Sequence, residues 1–275
     1  MTTTLQMLTD SDMANENATL ARAERKLITI ASGKGGVGKT WVSVTLSHAL
    51  AREGRKSLLF DGDLGLANVD IQLGLMPETD LGDVFRGKCA LEDAVVPVMS
   101  ESNRPLFHVI AGKSGSGAFA SLRPDAISAL KAELVEVSFD YDDLILDLAA
   151  GIDNAVMGLA QHGGRVIVVV TPDPTSITDA YAFIKVLRMR HRHARISVIV
   201  NMAKDRHEGA RAYTTLRKAT ENFLGFIPDL LGIIRRDRNV QDTIRHQSPM
   251  LSRHATSPAA EDVLAIARKL IGKKG

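Results

Sequence analysis

Two hydrophobic rhythms run along this chain. Short unbroken apolar runs occupy residues 27–31, 56–61, 106–111, 143–147, 166–170, 196–200 and 230–234. They lack the alternation of a half-exposed strand, so they predict strands covered on both faces. Between them lie longer stretches of helical period. Residues 41–50, 124–137, 176–190 and 210–223 predict helices, and 240–245 and 259–271 predict two more that close the chain. In 176–190 the residues Ile177, Ala180, Tyr181, Ile184 and Leu187 fall on one face. Gly54 marks the end of the first helix. Residues 80–97 read as helical pieces stopped by Pro97, and 112–117 as a loop of small residues. Strands alternating with helices predict an α/β fold, a doubly wound, mostly parallel sheet with helices on both faces. Residues 1–25 are polar and predict a flexible tail, with a helical stretch over 17–26, ahead of one domain spanning 26–275.

Between the first strand and the first helix stands Gly33-Lys34-Gly35-Gly36-Val37-Gly38-Lys39-Thr40. The spacing is G-x-x-x-x-G-K-T, a phosphate-binding loop in its required context. Glycines let successive backbone N–H groups, including that of Val37, curl toward phosphate oxygens, and the helix start adds its own unpaired N–H groups. Lys39 would neutralise the terminal phosphates of ATP, Thr40 would ligate Mg²⁺, and the Trp41 N–H reaches the α-phosphate. Lys34 is a second lysine, placed to project away from its own phosphates. Asp147 ends an apolar strand and would hold Mg²⁺ through water, because Mg²⁺ in nucleotide sites takes few carboxylates. Gly151 would let the backbone sense the γ-phosphate. Asp61 and Asp63 follow the second strand, and Asn201 follows the strand at 196–200 with an amide able to pair both edges of a base.

The Lys-Gly-Gly-Val-Gly-Lys-Thr loop resembles the deviant Walker A loop of the MinD/ParA family of ATPases, and the resemblance extends over about residues 26–270. It implies that Lys34 crosses an ATP-dependent homodimer interface, that Asp63 orients the attacking water while Asp61 braces the loop or the metal's water shell, and that Asn201 contacts adenine. It also implies a slow, partner-regulated ATPase. Where the family has Ile-Pro-x-Asp, this chain has Ile234-Arg235-Arg236-Asp237, so Arg235 is expected to replace the proline by stacking on the base. The stretches 63–70 and 173–181, with Asp147-Leu148-Ala149-Ala150-Gly151, are similar to the FlhG/FleN group, which controls flagellar number and placement. That implies protein partners in the flagellar or polar machinery. The group's Asp-Gln-Ala-x-x-Leu-Arg motif is not found in residues 1–26, and its separate C-terminal membrane anchor is not expected here. The alternatives are a ParA-type partitioning ATPase binding DNA non-specifically and a MinD-like regulator of the division site at the membrane.

Composition narrows the field further. A 45% hydrophobic chain of 275 residues can bury a large core. The single cysteine, Cys89, excludes a disulfide framework and cluster-binding reductases, and it fits a reducing cytoplasm. The expected location is therefore cytoplasmic, or peripheral at the inner face of the membrane or cell pole. Net charge is +2, but residues 1–180 carry 15 Lys+Arg against 24 Asp+Glu, whereas 181–275 carry 19 against 8. A basic final third suits an anionic membrane, nucleic acid or an acidic protein. The run Arg188, Arg190, His191, Arg192, His193 and Arg195 reads as a solvated connection without metal-ligand spacing. The helix at 259–271 is expected to belong to the core, its lysines Lys269, Lys273 and Lys274 notwithstanding.

Overall fold

The computed structural model describes Thr19 and residues 23–63, 68–112 and 124–273. Most of the expected tail, residues 64–67 of the stretch 63–70, residues 113–117 and Lys274 lie outside the described residues.

Eight strands form one sheet: β1 (Leu27–Ser32), β2 (Ser57–Gly62), β3 (Val95–Met99), β4 (Pro105–Ile110), β5 (Asp143–Ala150), β6 (Arg165–Val170), β7 (Arg195–Ala203) and β8 (Asp229–Arg235). Their spatial order is β3-β4-β2-β5-β1-β6-β7-β8. Every pairing is parallel except β3 with β4. The larger helices are α1 (Lys39–Arg52), α4 (Pro124–Val137), α6 (Pro174–Arg190), α7 (Arg206–Leu224) and α10 (Pro258–Leu270). The shorter ones are α2 (Val69–Leu73), α3 (Leu81–Phe85), α5 (Asn154–Ala160), α8 (Arg238–Arg245) and α9 (Met250–Arg253).

The strands' unbroken apolar character has a direct structural counterpart. Leu27, Ala31, Leu58, Phe60, Leu144, Val166 and Val198 point to one face, which α4, α5, α6 and α7 cover. Their neighbours in sequence, Ile28, Ile30, Leu59, Ile145, Ile167 and Ile199, point to the other face, which α1 and α10 cover. α1 is buried on nearly every side, from Trp41 to Leu50. α10 spends Val263, Ile266 and Ala267 on the second core, as expected of a core helix.

One expectation is corrected. Residues 95–99 are not helical: they form the antiparallel edge strand β3, with Pro97 opposite His108. Proline is tolerated there because an edge strand leaves some N–H positions without a ladder partner. The β-branched Val95, Val96 and Val98 favour the pleated surface over a last helical turn.

β1 sits at the centre, between β5 and β6. The chain leaves β1 toward β2 on one side and later continues from β6 on the other, so the order reverses at the carboxyl end of β1. Open α/β sheets bind ligands in the crevice at such a reversal, and the glycine-rich loop lies there.

At the sheet's amino end, a buried histidine is locked in one tautomer. The Gly164 N–H donates to His162 Nδ1 at 3.0 Å, so Nε2 carries the proton and donates to Thr29 Oγ1 at 2.7 Å. Burial, with lesser contributions from Lys131 and His191, pushes His162 down to about 3. The unfolded chain therefore binds a proton that the native state refuses. The penalty is absent above the ordinary histidine pKa of about 6.5 and grows as pH falls toward the native value, at about 1.4 kcal/mol per pH unit. Between about pH 7 and 5 the wild type should lose roughly 2 kcal/mol more stability than His162→Gln. Urea melts at both pH values check this, and identical pH slopes for the two proteins would refute the assignment.

Candidate functional site

Gly36 and Gly38 take φ of +77° and +85°, the left-handed region that only glycine enters freely. Gly33 is fixed by a close approach instead: a Cβ there would lie 2.1 Å from the Asp179 carbonyl oxygen in α6. Ser32 Oγ donates to the Lys34 carbonyl at 2.7 Å and closes the loop's first turn. The loop then feeds α1, whose first residues are Lys39 and Thr40.

Lys39 is 9% exposed. Burial pulls its pKa down, while the charges of Asp147 and Asp63 pull it up. Asp147 is 1% exposed. Ser43 Oγ donates to its Oδ1 at 3.0 Å, and its Oδ2 has no hydrogen-bond partner. Burial drives Asp147 up to about 6 against the opposing pull of Thr40, Lys39 and Ser43. A buried carboxylate oxygen without a donor, next to a threonine hydroxyl, fits a hard divalent cation with oxygen ligands. The residues thus suit Mg²⁺: Thr40 and Asp147 would hold it, and its charge would neutralise phosphate oxygens.

Asp61 is fully buried and pairs in register with Asp147 on the neighbouring strand. Oδ1 accepts the Asp63 N–H at 3.2 Å, and Oδ2 accepts those of Asn68 and Val69 at 3.1 Å each. The side chain therefore clasps both ends of the segment between β2 and α2. Burial and the nearby Asp147 raise it to about 8, and the three backbone donors oppose the rise. This is the loop-bracing role expected of Asp61. Asp63 stands close enough to influence both Lys39 and Asp147.

Lys34 occupies a different environment. Its Nζ pairs with Asp173 Oδ2 at 2.8 Å and donates to Thr175 Oγ1, at the start of α6. Its side chain remains 37% exposed. Lys34, Gly35 and Gly36 line a cleft of about 440 Å³ together with Asp173, Met202 and Arg236. Within this protomer Lys34 is latched to α6, whereas Lys39 lies near Asp147 and Asp63.

The adjoining cavity, about 270 Å³, is walled by Trp41, Asn201, Met202, Val240, Gln241 and Ile244. It reaches the loop at Gly38. Asn201 Nδ2 donates to the Val37 carbonyl at 2.8 Å, and Oδ1 accepts the Met202 N–H at 2.9 Å. One amide hydrogen and one lone pair remain for a ligand. A Cβ on Gly38 would come within 2.6 Å of Asn201 Nδ2. Asn201 thus fixes the loop as well as facing the cavity.

Two expectations are refined here. Arg235 lines the cavity, but the edge of its guanidinium is taken up within the protein, which leaves only its faces to a base. Nε and Nη2 pair with Asp262 at 2.8 and 3.0 Å, and Nη2 also donates to the Pro258 carbonyl at 3.1 Å. The bidentate geometry, with Asp262 only 4% exposed, binds the end of β8 to α10. Gly151 takes φ of +115°, but its N–H already donates to the Ser32 carbonyl at 2.9 Å. It closes β5 onto β1 and does not offer that N–H to a γ-phosphate.

Sequence reasoning did not identify Ser43, Asp173, Thr175, Met202 or the α8 wall as site residues. Ser43 was accessible in principle, being one helical turn beyond Thr40 on the same face. Met202 carries φ of +58°, rare for a bulky residue and found only in the structure.

A family profile described as the CobQ/CobB/MinD/ParA nucleotide binding domain matches residues 28–250. The chain is 37% identical over 245 residues to the antiactivator FleN of Pseudomonas aeruginosa, covering 89% of this chain and 86% of that protein. It is 28% identical to the flagellum site-determining protein YlxH of Helicobacter pylori, over 92% of this chain and 84% of that one. The septum site-determining protein MinD of Pyrococcus horikoshii, solved in complex with Mg-ADP, superposes with a TM-score of 0.70 at 27% identity, covering 89% of this chain and 95% of that one.

Two outcomes follow from this geometry. Trp41 is the only tryptophan, is 4% exposed and walls the cavity beside the loop. Its emission should change on adding Mg-ATP or Mg-ADP, as fluorescence titration would show; constant emission with binding confirmed by calorimetry would place the base elsewhere. Arg235→Ala should lower stability by about 2 kcal/mol, because it strips a charged partner from buried Asp262. Its preference for ATP over GTP should stay unchanged. The reverse pattern, full stability with altered base preference, would restore the stacking role.

Proposed function

The chain belongs to the CobQ/CobB/MinD/ParA nucleotide-binding family, and within it we propose a switch that dimerises with ATP, hydrolyses it slowly and sets flagellar number or placement through protein partners in the cytoplasm. The flagellar part of the reading is supported by the similarity to FleN and YlxH over most of the chain. The switch part is carried by one observation: two lysines of a single loop have opposite environments. Lys39 is buried near the charges of Asp147 and Asp63, where it would meet the phosphates of its own nucleotide. Lys34 is latched at the rim to Asp173 and Thr175, exposed on one side.

Two facing loops would bring several phosphate charges to one interface. A rim lysine from each protomer offsets that charge, provided the latch to Asp173 opens. With the γ-phosphate present the gain exceeds an exposed ion pair, which is worth only about 0.2–1 kcal/mol. With ADP part of that gain disappears and the latch closes again. Within each protomer, Asp147 and Thr40 would hold Mg²⁺, which supplies charge neutralisation at the phosphates. Asp63 orients water for in-line attack, since phosphoryl transfer rests on positioning and electrostatics. Asp61 keeps Asp63 in place by clasping the two ends of its segment.

Light scattering after size exclusion, with phosphate release measured in parallel, tests the reading. Wild type should dimerise with Mg-ATP and return to monomer with ADP. Asp63→Ala should bind ATP, stop turning over and accumulate as dimer. Lys34→Ala should retain nucleotide affinity yet lose turnover and weaken the dimer, whereas Lys39→Ala should lose ATP binding. Asp173→Ala, which frees the rim lysine, should shift dimerisation to lower ATP concentration. A wild type that stays monomeric with ATP, or a Lys34→Ala protein that hydrolyses normally, would rule the trans-lysine switch out.

A further inference from the structure

At the end of the sheet opposite the nucleotide, the tips of α6 and α7 carry an unusual combination of side chains. Met189 is 77% exposed and Phe223 76%. Ile227, in the turn after α7, is 47% exposed. β7 and β8 are parallel neighbours, so the α6–β7 and α7–β8 turns that lead into them lie side by side at their amino ends. The helices hold the patch together. The rings of Tyr181 and Phe223 meet edge to face at 6.4 Å, and the Arg188 guanidinium lies 4.5 Å above the ring of Phe226. Tyr181, Lys185, Arg188 and Met189 are spaced i, i+4, i+7 and i+8, which puts them on one side of α6.

Charge surrounds these apolar tips. The stretch 180–195 contains Lys185, Arg188, Arg190, Arg192 and Arg195, and no acid. Arg217 and Lys218 lie on the facing part of α7, where Arg217 pairs with Glu221 at 3.5 Å. Two acids lie nearby, Glu221 paired with Arg217 and the exposed Asp229 3.8 Å from Arg165, and the cations outnumber them. Exposed apolar side chains in a mainly cationic setting match the layering of an anionic bilayer: hydrocarbon under the methionine, phenylalanine and isoleucine, headgroups at the arginines. Duplex nucleic acid would satisfy the cations but would leave Met189 and Ile227 in water.

We propose that the tips of α6 and α7 form a docking surface for anionic lipid bilayers, with Met189, Phe223 and Ile227 entering the interface and the basic residues of 185–195 contacting headgroups. This surface is separate from α10, whose apolar face is already packed against α1. It points away from the nucleotide cleft, so a docked protein presents the cleft and the Lys34 latch to the cytoplasm. The inference goes beyond the switch reading and holds whether or not the chain dimerises or hydrolyses ATP.

The test is cosedimentation of the full chain with vesicles of phosphatidylcholine alone or mixed with phosphatidylglycerol, without nucleotide and with Mg-ATP. Wild type should pellet with the anionic vesicles and stay in solution with the neutral ones. Lys185→Glu with Arg192→Glu should weaken binding at least twenty-fold, at roughly fivefold for each charge lost. Met189→Ser with Phe223→Ser should weaken it by a comparable factor with all cations retained. Trp41 emission and thermal midpoint confirm that each variant is folded. Wild type that ignores anionic vesicles overturns the proposal. So does a serine pair that binds vesicles as wild type does, since the surface would then attract any polyanion. Duplex DNA that binds with dependence on the arginines and none on Met189 or Phe223, and displaces the vesicles, assigns the surface to nucleic acid instead.

Discussion

The structure turns on two carboxylates buried side by side. Register places Asp61 of β2 opposite Asp147 of β5, both out of water at the carboxyl edge of a sheet otherwise lined with valine, isoleucine and leucine. Such a pair is costly unless its charge is offset. Lys39 arrives from the start of α1, Ser43 from one turn further on, and the backbone donors of Asp63, Asn68 and Val69 converge on Asp61. One oxygen of Asp147 remains without a donor. A divalent cation would complete the charge balance there, because it would supply the orphaned oxygen with a partner and offset the two carboxylates together. Preorganisation has been installed during folding, through strand register, rather than at binding.

Much of this could be read from the chain, because the residues carrying the strongest chemistry also carry the strongest local signals. The glycine-rich loop is legible because left-handed backbone leaves a mark in residue type. Asp147 is legible because an acid ending an unbroken apolar strand has few places to go. The seven parallel-paired strands and the main helices follow from period alone. What escaped depends on contacts between distant segments. β3 was hidden by Pro97, a local breaker that an edge position tolerates. Arg235 was assigned to a base because nothing near it in sequence announces Asp262, 27 residues on, as a buried bidentate partner. Gly151 was read as a free donor because only strand pairing shows that Ser32 has taken its N–H. The latch on Lys34 needs the start of α6 to come beside the loop, which is a statement about topology.

Those misplacements share a physical pattern. In each, a polar group expected to face the ligand already has a partner within the protein. Arg235 is spent on α10, Gly151 on β1, and one hydrogen of Asn201 on the Val37 carbonyl. Buried or half-buried polar groups in a folded chain seldom wait unpaired. Among the described residues six buried side-chain polar atoms lack a partner, and Asp147 Oδ2 is the one carboxylate oxygen among them, which makes it the most informative about function. The same reasoning separates the two lysines: Lys39 is partnered by buried charge and cannot leave, whereas Lys34 is held by exposed partners whose contacts cost little to break. Mobility at the rim and rigidity at the floor are consequences of where water reaches.

The final third of the chain joins these properties to the molecule's orientation. Two groups of its cations have distinct roles. Arg235 and Arg206 converge on buried Asp262 and tie β8 and α7 to α10, so that part of the excess is structural. Another part, Lys185, Arg188, Arg190, Arg192 and Arg195, lies toward the distal end of α6, with the exposed Met189 among it. α6 connects both ends of the molecule: its first turn holds Lys34 through Asp173 and Thr175, and its last turns carry Arg188 and Met189. The helix of 17 residues is buried along one face, where Phe183, Ile184 and Leu187 pack into the core. A partner at the distal tips would therefore engage the same helix whose first turn latches the rim lysine.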